Sequence, residues 1–137
     1  DGQKYRPVMI HRVVFGSIER FIGILTEHFA GAFPLWLAPV QVKVIPVSEK
    51  YNGYANTVLA DLKNAGLRAE LDERPEKMGF KIREAQLKKI PYMLIVGEKE
   101  QESGTVSIRS RDKGDEGAIA IREFCDMAAK KIRERTV

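Results

Sequence analysis

The sequence predicts an α/β domain, a mixed sheet with helices on its faces. Three observations lead there. Short apolar runs recur at Val40–Val44, Leu67–Leu71, Tyr92–Val96 and Val106–Ile108. Stretches with helical spacing separate the first three of these runs. Pro34 and Pro39 set this pattern apart from a different one before it.

The elements follow in order. Arg6–Phe15 alternates, with Val8, Ile10 and Val14 on one side and Met9, Val13 and Phe15 on the other. Period two reads as a strand. Gly16-Ser17 breaks it, Ser17 is a good N-cap, and Ile18, Phe21, Ile22, Leu25 and Phe29 recur at helical spacing. A strand and helix at this place suggest a chain that begins inside a larger domain. Val40, Val42 and Val44 alternate with polar partners up to Pro46. Ser48 then caps a helix over about 49–65, with Ala55, Val58 and Leu62 inward and Gly66 as its stop. Leu67, Ala69 and Leu71 make a short strand, and a helix over about 76–89 ends at Pro91. Tyr92–Gly97 is apolar throughout, as in a central strand covered on both faces. Glu98–Gly104 reads as a turn, Val106 and Ile108 as a hairpin strand, and Arg111–Gly117 as a charged loop. A last helix spans about 121–134, with Phe124, Met127, Ala128 and Ile132 inward. Strands joined through helices run parallel, and the hairpin adds an antiparallel member.

Composition narrows the function. The 137 residues carry a net charge of +4, and 44% are hydrophobic, enough for a real core. No apolar run approaches the ~18 residues of a membrane helix. The opening residues do not read as a signal peptide, and with a single cysteine a reducing, cytoplasmic setting is the expectation. The one cysteine, Cys125, excludes an internal disulfide framework and reads as a small core residue. No Gly-x-Ser-x-Gly elbow is present, and Pro46–Lys50 lacks the glycines of a phosphate-cradling loop.

The basic segment is more informative. Arg74–Lys89 holds six basic residues against two acidic ones, with Lys77, Lys81 and Lys88 on one side of the predicted helix. It is either a solvated helix face or a surface for RNA phosphates. Arg109 and Arg111 share one face of the hairpin strand, and Glu98 and Glu100 lie across the turn. Arg and Glu there read unpaired bases as donor and acceptor, or simply pair across strands.

Two runs carry a resemblance. Tyr5–Arg12 with Gly16-Ser17-Ile18-Glu19-Arg20-Phe21 is similar to the third signature motif of class II aminoacyl-tRNA synthetases, in the form of the threonyl-tRNA synthetase family. Pro34-Leu35-Trp36-Leu37-Ala38-Pro39, Gly79–Leu87, Pro91–Leu94, Gly97–Glu100 and Gly104–Arg109 resemble that family's anticodon-binding domain.

The resemblance implies a mixed five-stranded sheet in residues 37–137, the anticodon-binding domain. It makes residues 1–36 the strand-helix end of an antiparallel catalytic domain. It implies a threonine–tRNA ligase as the parent enzyme, with this chain alone inactive. Arg20 matches the arginine that holds ATP, and Ser17 lies beside the substrate pocket. His11 matches one of three ligands of the family's zinc, and no counterpart of the other two is present in the chain. Glu100 and Arg109 match positions that contact anticodon bases, with Lys81 and Arg83 as supporting contacts. The full enzyme would use Zn2+, ATP and Mg2+, none of them held stably by this chain alone. The implied partner is threonine tRNA, the parent is a homodimer, and no membrane is involved. One departure is visible: Pro75 stands where the family usually has an Asn, a candidate base contact. The alternatives are a non-catalytic tRNA-binding paralogue and a flavodoxin-like α/β protein that binds a small anion.

Overall fold

A computed structural model describes residues 2–136. Five strands form one sheet in the order β2-β1-β3-β4-β5. They are β1 (Val42–Pro46), β2 (Ala69–Leu71), β3 (Tyr92–Val96), β4 (Thr105–Ser110) and β5 (Gly114–Ala120). β1 runs parallel to β2 and β3, and β4 runs antiparallel to β3 and β5. The helices are α1 (Ile18–His28), α2 (Asn52–Asn64), α3 (Met78–Leu87), α4 (Glu98–Ser103) and α5 (Ile121–Glu134). A single 3-10 turn, Glu49–Tyr51, leads into α2.

The two faces of the sheet are unequal. On one, α2 and α5 bring Ala55, Val58, Leu62, Phe124 and Ala128 onto Val42, Val44, Leu94, Val96, Val106 and Ile108. Phe124 is fully buried there and meets Tyr92 edge-on. On the other, α3 covers only part of the sheet. Ala85 and Ile90 pack on Ile45 and Met93. Beyond them Ile95, Ser107 and Arg109 are only half-buried. The sheet therefore has one closed face and one face left partly open past α3.

Three expectations are corrected. The Arg6–Phe15 strand does not form: residues 2–17 contain no strand or helix and are exposed. A strand needs a neighbour for its ladder, and none of the described strands lies beside this segment. The helix after it does form, capped by Ser17, whose Oγ accepts the Arg20 N–H at 3.4 Å, but it buries no residue fully. Second, Glu98–Ser103 is a short helix, with the Glu100 carboxylate accepting the Gly97 N–H at 3.0 Å. Third, the expected charged loop is in large part β5, the fifth strand, an edge strand paired only to β4.

The proline-marked junction is docked rather than loose. Gln41 is 1% exposed. Its amide donates to the Leu35 carbonyl at 2.8 Å and accepts the Arg68 N–H at 2.9 Å. Arg68 donates to the carbonyls of Trp36 and Ala38. Arg111 donates to the carbonyls of Phe33 and Lys89, and Lys89 reaches the Ala30 carbonyl.

Candidate nucleic-acid interface

The open face is built around β4. Burial alternates along it, so Val106, Ile108 and Ser110 enter the core while Thr105, Ser107 and Arg109 face the other way. Arg109 stands opposite Met93 on β3 and Asp115 on β5, and the ladder is irregular at Ile108/Arg109. Met93 offers no acceptor, and Asp115 accepts the Gly117 N–H instead. Arg109 Nε is cut off from water yet has no hydrogen-bond partner among the described residues. A buried donor without an acceptor is costly, and Trp36 Nε1 and Asn52 Oδ1 are left in the same state elsewhere among the described residues.

Glu100 sits at the far end of β3. Capping Gly97 occupies its Oε2, and Oε1 has no partner among the described residues. Gly97 is closely approached: a Cβ there would lie 3.1 Å from Val47 Cγ2 and 3.2 Å from Glu100 Oε2, so both side chains would have to shift by a few tenths of an ångström. Beside it, the Tyr54 hydroxyl donates to the Thr105 carbonyl at 2.7 Å. Burial first, and then the charges of Glu100 and Asp61, push its titration above the ordinary tyrosine range. From Met93 to Gly97 the rise of ~3.3 Å per residue puts roughly 13 Å between the Arg109 and Glu100 ends of the face.

The basic segment is mostly spent inside the protein. Asp72 is 3% exposed. It takes two hydrogen bonds from the Arg74 guanidinium, at 2.8 and 2.6 Å. Those bonds hold the Asp72 carboxyl below the usual carboxylate range, and its desolvation works the other way. Arg74 also reaches Glu84 at 2.6 Å, and Lys88 pairs with Glu84 at 2.9 Å. The Lys88 hydrogen bond, followed by that of Arg74, holds Glu84 low as well.

Lys81, expected as a supporting RNA contact, is 4% exposed and donates to the Asp72 carbonyl at 3.0 Å. Ala85, four residues on, packs on the sheet, so Lys81 lies on the inward flank of α3 and meets Asp72 rather than solvent. Arg83 lies on the opposite flank of α3 and is exposed. Lys77 and Arg83 are thus the two cations of this segment with no partner among the described residues. Arg111, grouped in the sequence with Arg109, is likewise committed to the junction. Asp72, the anchor of this network, is not marked out by residue type or spacing. Its one signal is its place just before a basic run.

Arg20, Ser17 and His11 lie in the exposed N-terminal part and are not gathered with these groups. Ser17 donates to Glu19 at 2.7 Å while capping α1. Among the described residues no cluster of three His, Cys, Asp or Glu could hold a metal. The described residues therefore do not make up a zinc site, and His11 alone offers one donor. No helix among them is long and apolar enough to cross a membrane.

A family model described as an anticodon binding domain matches residues 41–131, from the buried Gln41 to the last turns of α5. The chain belongs to the anticodon-binding-domain family. The match sets aside the flavodoxin-like reading. Among this domain's relatives, the threonine–tRNA ligase of Clostridioides difficile (strain 630) is 63% identical over 98% of the chain, which is 21% of that protein. That of Thermus thermophilus is 58% identical over 98% of the chain and 20% of its own length. The chain thus spans about a fifth of the curated relatives it matches. Among solved structures, the RNA-binding domain of threonyl-tRNA synthetase from Cryptosporidium parvum aligns with a TM-score of 0.79 at 33% identity. The alignment covers 84% of this chain and 29% of that one. Prolyl-tRNA synthetase of the same organism aligns at 0.60 and 28% identity, over 74% of this chain and 26% of that one.

Proposed function

We propose that this domain recognises the anticodon of threonine tRNA as part of a threonine–tRNA ligase. One observation carries the reading: Arg109 stands half-buried on the one face of the sheet that no helix fully covers, and its guanidinium has no hydrogen-bond or ion-pair partner among the described residues. An unpaired base edge supplies the acceptor, and Arg is suited to it by its planar fork of donors. Glu100 Oε1 is the matching acceptor at the other end of the face. The separation between them suits two bases of a splayed loop better than one. Threonine codons begin AC, so the loop presents G at the middle anticodon position and U at the last. Arg83 contributes a phosphate contact from the flank. Pro75 offers no side-chain amide, so the candidate base contact of the usual Asn is either lost here or remade by a neighbour.

In the whole ligase, residues 1–36 close the catalytic domain and 37–137 read the tRNA. Arg20, a permanent cation, grips ATP, and Ser17 borders the substrate pocket. His11 is one of three zinc ligands completed from elsewhere in the protein. ATP and Mg2+ supply the activation chemistry. The ligase acts in the cytoplasm as a homodimer, and the present chain is inactive alone.

The test is a titration of the chain with threonine tRNA and with a version changed at the middle and last anticodon bases. The reading expects weaker binding of the changed tRNA, and loss of that preference in Arg109→Ala. Equal binding of both tRNAs by the unaltered chain would refute it.

A further inference from the structure

The outward side of α3 combines three features that the fold does not use. Phe80 is 53% exposed. From residue 16 onward it is the one exposed Phe, Tyr or Trp among the described residues. Lys77 and Arg83, three residues to either side, are the two unpartnered cations of the segment. Arg83 is one turn further along α3 and Lys77 is the residue that caps it, so a positive charge stands on either side of the ring in the chain. Beside it stands Gly79, the second residue of α3. Its φ is not in the left-handed region, and a Cβ built on it would meet nothing within 4 Å. Neither conformation nor packing calls for glycine there, and alanine is the better helix former. A bare backbone position next to an exposed ring does suit the close approach of a ligand.

We propose that Phe80 is a stacking platform for an unpaired base of the bound RNA loop, with Gly79 kept bare to admit it. The inference rests on the anticodon-recognition reading above. Charge complementarity selects the occupant. Free cations on both sides of an exposed ring suit a base attached to its phosphates, and every base has a π-face. This platform adds affinity without choosing the base, whereas Arg109 and Glu100 supply the choice.

The experiment uses the full chain and an anticodon stem-loop hairpin with G and U at the middle and last anticodon positions. Phe80→Ala is expected to weaken binding roughly 5- to 150-fold, the range for losing one base-aromatic stack. It should do so equally for the matched hairpin and for one changed at those two bases. Phe80→Trp, placed in a Trp36→Phe background, is expected to keep affinity and to lose fluorescence as the hairpin is added. Gly79→Ala is expected to weaken binding while the melting temperature holds or rises. Gly53→Ala, at the second position of α2, should leave binding unchanged. Unchanged affinity in Phe80→Ala, with preference still lost in Arg109→Ala, would overturn the platform and leave the recognition reading standing. No anticodon-dependent binding by the unaltered chain would overturn both.

Discussion

The salt dependence of RNA binding separates what the basic segment looks like from what it is. Six cations lie in Arg74–Lys89. If all six faced phosphates, at about 0.7 of log K per log salt each, the segment alone would contribute a slope of about 4. Between 50 and 200 mM salt that is a loss of more than two decades in affinity. The structure withdraws four of them. Arg74 is held by Asp72 and Glu84, Lys88 by Glu84, Lys81 by the Asp72 carbonyl and Lys89 by the Ala30 carbonyl. Lys77 and Arg83 remain, for a slope of about 1.4 and a loss of roughly sevenfold over the same interval. The assay is fluorescence anisotropy of a labelled anticodon hairpin across a salt series. Arg83→Met should lower the slope by about 0.7, and Lys81→Met should leave it unchanged. A Lys81→Met slope reduced as much as that of Arg83→Met would refute the assignment of these side chains.

Three further outcomes follow from named contacts. Gln41→Leu keeps the volume of the side chain but strands the Leu35 carbonyl and the Arg68 N–H in a buried site. Urea unfolding should show a loss of about 2–4 kcal/mol. Asp72 titrates below the ordinary carboxylate value of about 3.9 because Arg74 holds its charged form. Its contribution to stability is therefore fully present above that value and is lost as pH falls through the lowered one. Urea midpoints measured between about pH 5 and pH 2 should fall more steeply for the unaltered chain than for Arg74→Met. The Cys125 thiol is pushed up by burial first, then by Asp61 and Asp126. A disulfide reagent at about pH 8 should modify it more slowly than it modifies a free cysteine, and equal rates would count against its half-buried setting.

Much of the domain was legible because its core strands and helices carry clean periods. Val42 and Val44, the Tyr92–Val96 run and the inward face of α5 all sit where their spacing placed them. β5 was not legible, since Gly114–Ala120 is glycine-rich and acidic, lies at the sheet edge and has no fully buried residue to give it an apolar rhythm. α4 was missed for a related reason: Glu98–Ser103 has no apolar face, and only the Glu100 cap on Gly97 betrays a helix start. The N-terminal segment erred the other way. Its alternation is clear, but period two states only which side chains share a face, not that a neighbouring strand is there.

Residue types and spacing left base reading and a plain cross-strand pair both open, and family resemblance singled out Glu100 and Arg109. Spacing alone could not tell that Lys81 points at Asp72, because burial of a lysine depends on which flank of α3 meets the β2 end of the sheet.

The central claim is that an unpaired RNA loop lies on the sheet face left open by α3. The most direct measurement is the change in backbone amide shifts of the isotope-labelled chain as a matched anticodon hairpin is added. The largest changes are expected around Arg109 on β4, across β5, at the first turn of α4 and along Lys77–Arg83. Changes concentrated instead on α2 and α5, over the closed face, would contradict it.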